Sequence, residues 1–195
     1  LKFGADQYSR ICFRPNMSAL AEKFSFSLWI KAVLNGQNPM AFAYLENELF
    51  IRQTGDYRLF GKDTNINPNI TVGVWHHYCV TWSLESRTFR ADVNGTLAGQ
   101  SNTPPGRRLK TGGTLVLGDY WDKPERSVHH FGGEMFNLNM FSKELSSTEV
   151  TELSAHGLCV GVPVRLQSCK VIEWEQILKL PRGGTVQDVD IRAVM

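Results

Sequence analysis

The sequence has no apolar run approaching the roughly 18 residues needed to cross a bilayer, so no membrane contact is expected of this segment itself. It has no excess of charge of one sign either. Its 21 Lys and Arg stand against 19 Asp and Glu, a formal net charge of +2. Nucleic-acid binders show a basic stripe and a higher isoelectric point, so nucleic acid is not expected as a partner. The densest basic stretch, Arg107-Arg108-Leu109-Lys110, follows Pro104-Pro105-Gly106 and reads as a solvated loop, with weak binding to an anionic glycan as the alternative. A Gly-x-Ser-x-Gly nucleophile elbow and a phosphate-binding Gly-rich loop are both missing. So are internal repeats, low-complexity tracts and a leader at Leu1, and the chain reads as a mature or trimmed one. Long helical segments do not alternate with strands, which argues against a parallel α/β sheet. Cysteine is scarce, four in 195 residues, but a chain of this length can bury a continuous core without crosslinks.

What is present is period two. Phe24, Phe26, Leu28 and Ile30 alternate with Ser25, Ser27 and Trp29; Tyr78, Val80 and Trp82 alternate with Cys79 and Thr81. Phe89, Ala91 and Val93 form a third run, and Phe136, Leu138 and Met140 a fourth, alternating with Asn137 and Asn139. Strand side chains point to opposite faces in turn, so each run presents one face to a core. Asn94-Gly95 tolerates positive φ at both residues and reads as a tight hairpin turn. Gly, Pro and Asn clusters separate the runs, the pattern of a two-sheet antiparallel sandwich. One helix is expected: Ser146-Ser147-Thr148-Glu149 fits a capping box, Val150 and Leu153 share a face, and Gly157 ends it. From Ile177 to Leu180 and from Val186 to Val194 the pattern reads as a C-terminal hairpin around Pro181-Arg182-Gly183-Gly184. The division expected is a domain over 1–176 with a hairpin extension of the same domain over 177–195.

Three Asn-x-Ser/Thr triplets, at Asn16, Asn69 and Asn94, are candidate glycosylation sites. With an even cysteine count they favour an extracellular chain. Catalysis finds little support. Adjacent histidines in His76-His77 and His129-His130 would point to opposite strand faces, so neither pair can chelate zinc as a unit. Glu46 and Glu48 are the one tempting carboxylate pair for glycoside hydrolysis, with no aromatic sugar platform identifiable beside them. Of the five tryptophans, Trp29, Trp75, Trp82 and Trp174 read as packing and Trp121 as a plausible ligand contact. The chain is read as a non-enzyme without a cofactor.

His77-Tyr78-Cys79-Val80-Thr81-Trp82 resembles the His-x-Cys-x-Ser/Thr-Trp motif of the pentraxin family, although Leu84 stands where the motif ends on Ser or Thr. Other segments fall in that family's order: Phe24 to Trp29, Thr114 to Gly118, Gly133 to Phe141, Ser146 to Leu153, and Val171-Ile172-Glu173-Trp174 as the closing strand. The resemblance covers about residues 1–176. It implies an all-β, two-sheet antiparallel jelly-roll sandwich with one short helix.

It also implies a calcium loop, which this sequence carries in degraded form. Glu46 and Asn47 look like the first pair of ligands, and Asp119 and Asp122 like carboxylates of the second loop. Tyr120 falls where the family has Glu, and a Gln is replaced near His129. Calcium takes six to eight oxygens, several of them charged, so at most one metal is expected here. Arg52 stands where soluble members place an aromatic residue against phosphocholine. The motif cysteine of soluble members pairs with a cysteine at the place of Ser27. Four cysteines allow three connectivities, of which Cys12–Cys79 with Cys159–Cys169 is the expected one. These departures and the C-terminal extension look most like the N-terminal pentraxin-like domains of adhesion G-protein-coupled receptors. That likeness implies a cell-surface-tethered recognition module with an extracellular protein or glycan ligand. Val186, Val189, Ile191 and Ala193 would line a free edge through which two copies pair as a homodimer without calcium. The alternative is calcium-dependent ligand binding in the manner of soluble pentraxins.

Overall fold

The period-two segments become strands. The computed structural model describes residues 1–4, 9–33, 40–45, 48–52, 57–64, 66, 70–120, 130–157, 163–182 and 186. In chain order the strands are β1 (Lys2–Phe3), β2 (Ile11–Phe13), β3 (Lys23–Ala32), β4 (Met40–Tyr44), β5 (Leu49–Arg52), β6 (Tyr57–Leu59), β7 (Lys62–Asp63), β8 (Trp75–Ser83), β9 (Thr88–Val93), β10 (Thr96–Asn102), β11 (Leu115–Leu117), β12 (Gly133–Phe141) and β13 (Lys170–Ile172). They form two open antiparallel sheets. Sheet A runs β1-β12-β3-β8-β9-β10, with β13 also on β12, and sheet B runs β2-β11-β4-β5-β6-β7. This is the all-β two-sheet sandwich expected from the alternation.

The core lies between the sheets. Phe24, Phe26, Leu28 and Ile30 of β3 and Tyr78, Val80 and Trp82 of β8 meet Phe42, Tyr44, Leu49, Ile51, Leu115 and Leu117 of sheet B. The Phe26 and Phe42 rings stack across the layers, 5.1 Å apart. Trp82 is fully buried between Phe24 and Phe60, and its indole N–H donates to Thr103 Oγ1 at 3.0 Å, so its polar atom is satisfied. Asn94 and Gly95 turn β9 into β10 with φ of 52° and 75°, the conformation that favours this pair.

One run departs from simple alternation. The β3–β12 register slips between Phe136 and Asn139, and Asn137 takes φ of 54°. This bulge puts Met135, Leu138 and Met140 into the core and turns Phe136 outward against Trp174. Phe136, Leu138 and Met140 therefore do not share a face, as strict alternation had them do.

The outer face of sheet A is covered by helix α1 (Ser147–Ala155), which carries the expected capping box between Ser146 and Glu149. Val150 and Leu153 press onto Cys79, Phe141 and Leu145. Burial would raise the Glu149 carboxyl, but hydrogen bonds from Lys143 and from Ser146 outweigh it and hold the group below the usual carboxylate range. Beside the helix, polar groups are buried in pairs. Ser27 Oγ meets His77 Nε2 at 2.8 Å, and Asp92 is held by Arg90. Burial pushes the His77 imidazole down to about 4.

Several expectations fail in the C-terminal region and at the cysteines. The structure adds α2 (Val164–Gln167), α3 (Trp174–Ile177) and a 3-10 turn (Ser18–Leu20) to the single helix expected. The closing strand forms over Val171 and Ile172 as part of β13, but Trp174 and Ile177 belong to α3, started by a second capping box between Glu173 and Gln176, so the strand ends before Trp174 and the hairpin's first arm is not extended at Ile177. Val186 is buried against the main core and cannot lie on a free edge; Val189, Ile191 and Ala193 lie outside the described residues. The Cys12–Cys79 bond is not formed. Cys79 is a buried thiol under α1 on the outside of sheet A, whereas Cys12, between inward Ile11 and Phe13, faces out of sheet B. Sheets pack about 10 Å apart, and these side chains point away from each other. Cys169 is also a thiol, donating to Leu166 O at 3.2 Å; Cys159, its expected partner, lies outside the described residues.

Two outcomes are expected from this packing. Ser146→Ala removes one side of the capping box and lowers unfolding free energy by about 1 kcal/mol, measured by urea denaturation. His77 generates a pH dependence. Its native pKa lies below the unfolded value, so the unfolded chain binds more protons as pH falls from about 6.5 toward about 4. The stability it permits is complete above that window and lost on acidification through it, by at most roughly 3 kcal/mol. Urea curves for the native chain and for His77→Phe should diverge in their pH slopes across this range; parallel slopes would contradict the assignment.

Candidate functional site

With one face of sheet A under α1, the other broad surface is the outer face of sheet B, whose middle is buried: Ala43, Phe50 and Val116 are 1%, 1% and 3% exposed. Alternation decides what it shows. Leu49, Ile51, Tyr57 and Leu59 point into the core, so Phe50, Arg52 and Arg58 point out. Phe50 packs on Ala43 and takes the Tyr120 ring edge-on at 5.8 Å. Two guanidinium groups lie over the same Phe50 ring, Arg52 at 5.2 Å and Arg58 at 4.9 Å from its centroid. A cation above an aromatic face is attracted by the ring quadrupole. Arg58 also makes a bidentate pair with Asp63, at 2.8 and 2.9 Å, and its hydrogen bonds hold the Asp63 carboxyl below the usual range. Phe50 is thus fully buried beneath Tyr120 and the two arginines, which are themselves only partly exposed.

Asp119 sits at one end of this face. Its position is set by Gly118, which takes φ of 85° where an added Cβ would fall 2.5 Å from the Phe3 ring and 2.7 Å from the Ser9 carbonyl. The turn delivers Asp119 into a buried place. One carboxylate oxygen accepts from the Tyr120 backbone N–H at 2.5 Å, and the other meets His130 Nδ1 at 3.2 Å. Of the four expected calcium ligands, Glu46, Asn47 and Asp122 lie outside the described residues, as do Trp121 and His129. Among the described residues no group of three or more His, Cys, Asp or Glu could hold a metal.

The other candidates disperse. His76 receives the Asn94 amide at 3.0 Å, His77 faces Ser27, and His156 lies 3.8 Å from Glu152, so these histidines do not converge. Glu48 is buried, with Lys110 Nζ at 3.2 Å, which removes it from an open carboxylate pair. The basic stretch is largely paired: Arg107 lies over Phe60 and near Glu48, and Arg108 contacts Glu22. Asn16 is exposed, whereas the Asn94 amide oxygen accepts from the His77 N–H at 2.9 Å; Asn69 lies outside the described residues. Phe50 and Arg58 were not singled out in the sequence. The alternation of Leu49-Phe50-Ile51-Arg52 and Tyr57-Arg58-Leu59 was the signal that could have found them.

Comparison with known proteins places this geometry. A family profile described as Laminin_G_3, concanavalin A-like lectin/glucanases superfamily, matches residues 3–151. The chain is 27% identical over 176 residues to the mouse protein named sushi, von Willebrand factor type A, EGF and pentraxin domain-containing protein 1, covering 84% of this chain and 5% of that one. It is 28% identical over 182 residues to human neuronal pentraxin-1, covering 86% of this chain and 41% of that one. The chain thus spans well under half the length of these relatives. The native heptameric SAP-like pentraxin of Limulus polyphemus superposes with a TM-score of 0.65 at 19% identity, over 94% of this chain and 90% of that one, which shows the shared fold. The two open sheets, their strand order and the profile match over most of the chain agree, and the chain belongs to the concanavalin A-like lectin/glucanase superfamily as a pentraxin/laminin-G-like domain.

Proposed function

We propose that this chain is a non-enzymatic, extracellular recognition and association module of a cell-surface adhesion receptor, that it homodimerises without calcium, and that it meets a protein or glycan ligand on the outer face of sheet B. The observation that carries the metal-independent part is Asp119. Both of its oxygens are engaged by groups of the chain itself, at the position where the family resemblance implies a calcium ligand. Near it the Arg52 and Arg58 guanidinium groups lie over the buried Phe50 ring, and their partly exposed positive charge attracts anions and repels a divalent cation.

The association part is supported by the way sheet A ends. Strands β1, β2 and β7 are two or three residues long, but β10 runs seven residues, and among the described residues no strand pairs with its outer side. Natural edges are guarded by charge, proline or shortness. The stretch Thr96 to Asn102 holds no charged residue and no proline, and one irregularity lies between Leu97 and Gly99. Thr103 donates to Arg87 O at 2.8 Å. By the antiparallel alternation, Gln100 and Asn102 then turn their backbone N–H and C=O outward. Two such edges can pair about a two-fold axis.

Light scattering at micromolar concentrations should find a dimer whose mass is unchanged by chelator. Gln100→Lys sets like charges across the axis and should raise the dissociation constant at least about tenfold, while leaving the melting temperature of the domain unchanged. A monomer at every concentration would reject the association. A dimer that dissociates on chelation would reject its metal independence and favour the calcium-dependent alternative.

A further inference from the structure

The 3-10 turn and α3 leave a groove between them. It encloses about 470 Å³ and is lined by Phe13, Pro15, Ile172, Ile177 and Leu180, with the exposed Asn16 among its walls. Among the described residues nothing covers it. A partly apolar hollow of this kind on a surface exposed to water is a place that something fills. The chain itself names an occupant, because Asn16-Met17-Ser18 is a glycosylation triplet.

The local structure presents that triplet in a fixed way. Met17 and Leu20 are fully buried and anchor the segment. Asn16 Oδ1 accepts from the Ser18 backbone N–H at 3.1 Å, which orients the amide. Among the described residues no acceptor takes the Nδ2 hydrogens of Asn16. Asn94 is the contrary case. Its Nδ2 donates to His76 Nδ1 at 3.0 Å, and its own backbone N–H donates to His77 O at 2.8 Å. The turn that follows is pressed on α1, where a Cβ at Gly95 would meet Ser154 Cβ at 3.2 Å. The Asn94 amide is a clamp of the fold, whereas the Asn16 amide is free to bear a substituent.

We infer that Asn16 carries an N-linked glycan and that its first sugars seat in the adjoining groove. Pyranose rings present C–H faces to the partly exposed Phe13, Val171 and Leu180 side chains, and their hydroxyls stay in water. The glycan then acts as a strap from the N-terminal turn to β13 and α3, two segments joined otherwise through the core. This inference rests on the extracellular reading given above.

The test separates the two. The native full-length protein is expressed in mammalian cells, labelled with a membrane-impermeant biotin reagent, and its Asn16 peptide is analysed by mass spectrometry. Surface labelling with glycan at Asn16 is expected. Absence of labelling would overturn the extracellular reading; labelled protein with a bare Asn16 would overturn only the inference. Enzymatic removal of the whole glycan, and Asn16→Gln, should each lower the melting temperature by about 3 °C, the shift a modest contact gives a domain of this size. Both should raise amide hydrogen exchange over 171–180, while trimming to the first sugar should retain part of the protection. An occupied Asn16 whose removal changes neither readout would overturn the placement in the groove.

Discussion

The two-sided burial of β8 is the constraint on which the rest of this structure depends. Of its nine residues only Trp75 is more than marginally exposed. Tyr78, Val80 and Trp82 fill the space between the sheets, while His77, Cys79 and Thr81 lie outside sheet A under or beside α1. A polar group taken out of water must find a partner or carry a penalty of a few kcal/mol. The pairs around β8 follow from that requirement: Ser27 with His77, Ser83 with Glu144, and Asp92 with Arg90. Sheet A is therefore committed to holding the fold on both of its faces.

That commitment decides where recognition can occur. Among the described residues, what remains is the outer face of sheet B, buried at its middle but partly exposed at Arg52, Arg58 and Tyr120, and the far edge of sheet A. On sheet B the outward positions of β5 and β6 carry Phe50, Arg52 and Arg58, and Tyr120 closes one side. Asp119 belongs to this region by position but to the interior by bonding, since it is fully buried and engaged by Tyr120 and His130. A carboxylate that a metal could use in a related loop is here part of the framework that shapes the loop. The partly exposed groups here are guanidinium groups lying over a buried ring, and positive charge of that kind does not invite a cation.

Much of this was legible in the residues, and the failures have physical causes. Period-two runs located β3, β8 and β9, and Asn94-Gly95 located the hairpin turn from β9 to β10, because each rests on side-chain direction or backbone sterics alone. The register even places Ser27 directly opposite Cys79, as the family motif implied. The β12 bulge was hidden because Asn137 adopts a left-handed conformation that alternation does not report. The C-terminal hairpin was misread because Ile177 to Leu180 suits a strand or a helical turn equally, and the Glu173–Gln176 capping box settled it for helix. Cysteine pairing was illegible for another reason. It depends on which sheet and which face each thiol occupies, and Cys12 and Cys79 differ in both.

The replacement of a crosslink by a hydrogen bond at Ser27 changes what the fold is sensitive to. A disulfide between this position and Cys79 would close a loop of some fifty residues and constrain the unfolded chain by about 4 kcal/mol in the entropy model. Ser27 instead offers its hydroxyl to His77, a neutral imidazole whose other nitrogen is buried without a partner among the described residues. That contact contributes far less than a crosslink would, and the apolar contacts of α1 on Cys79, Phe141 and Leu145 bury the same side of the sheet. Packing on this scale is indifferent to reductant, but it encloses a group that must stay uncharged. Where the family resemblance implies a crosslink, this ladder pair carries a hydrogen bond, and through His77 it makes the fold sensitive to acid.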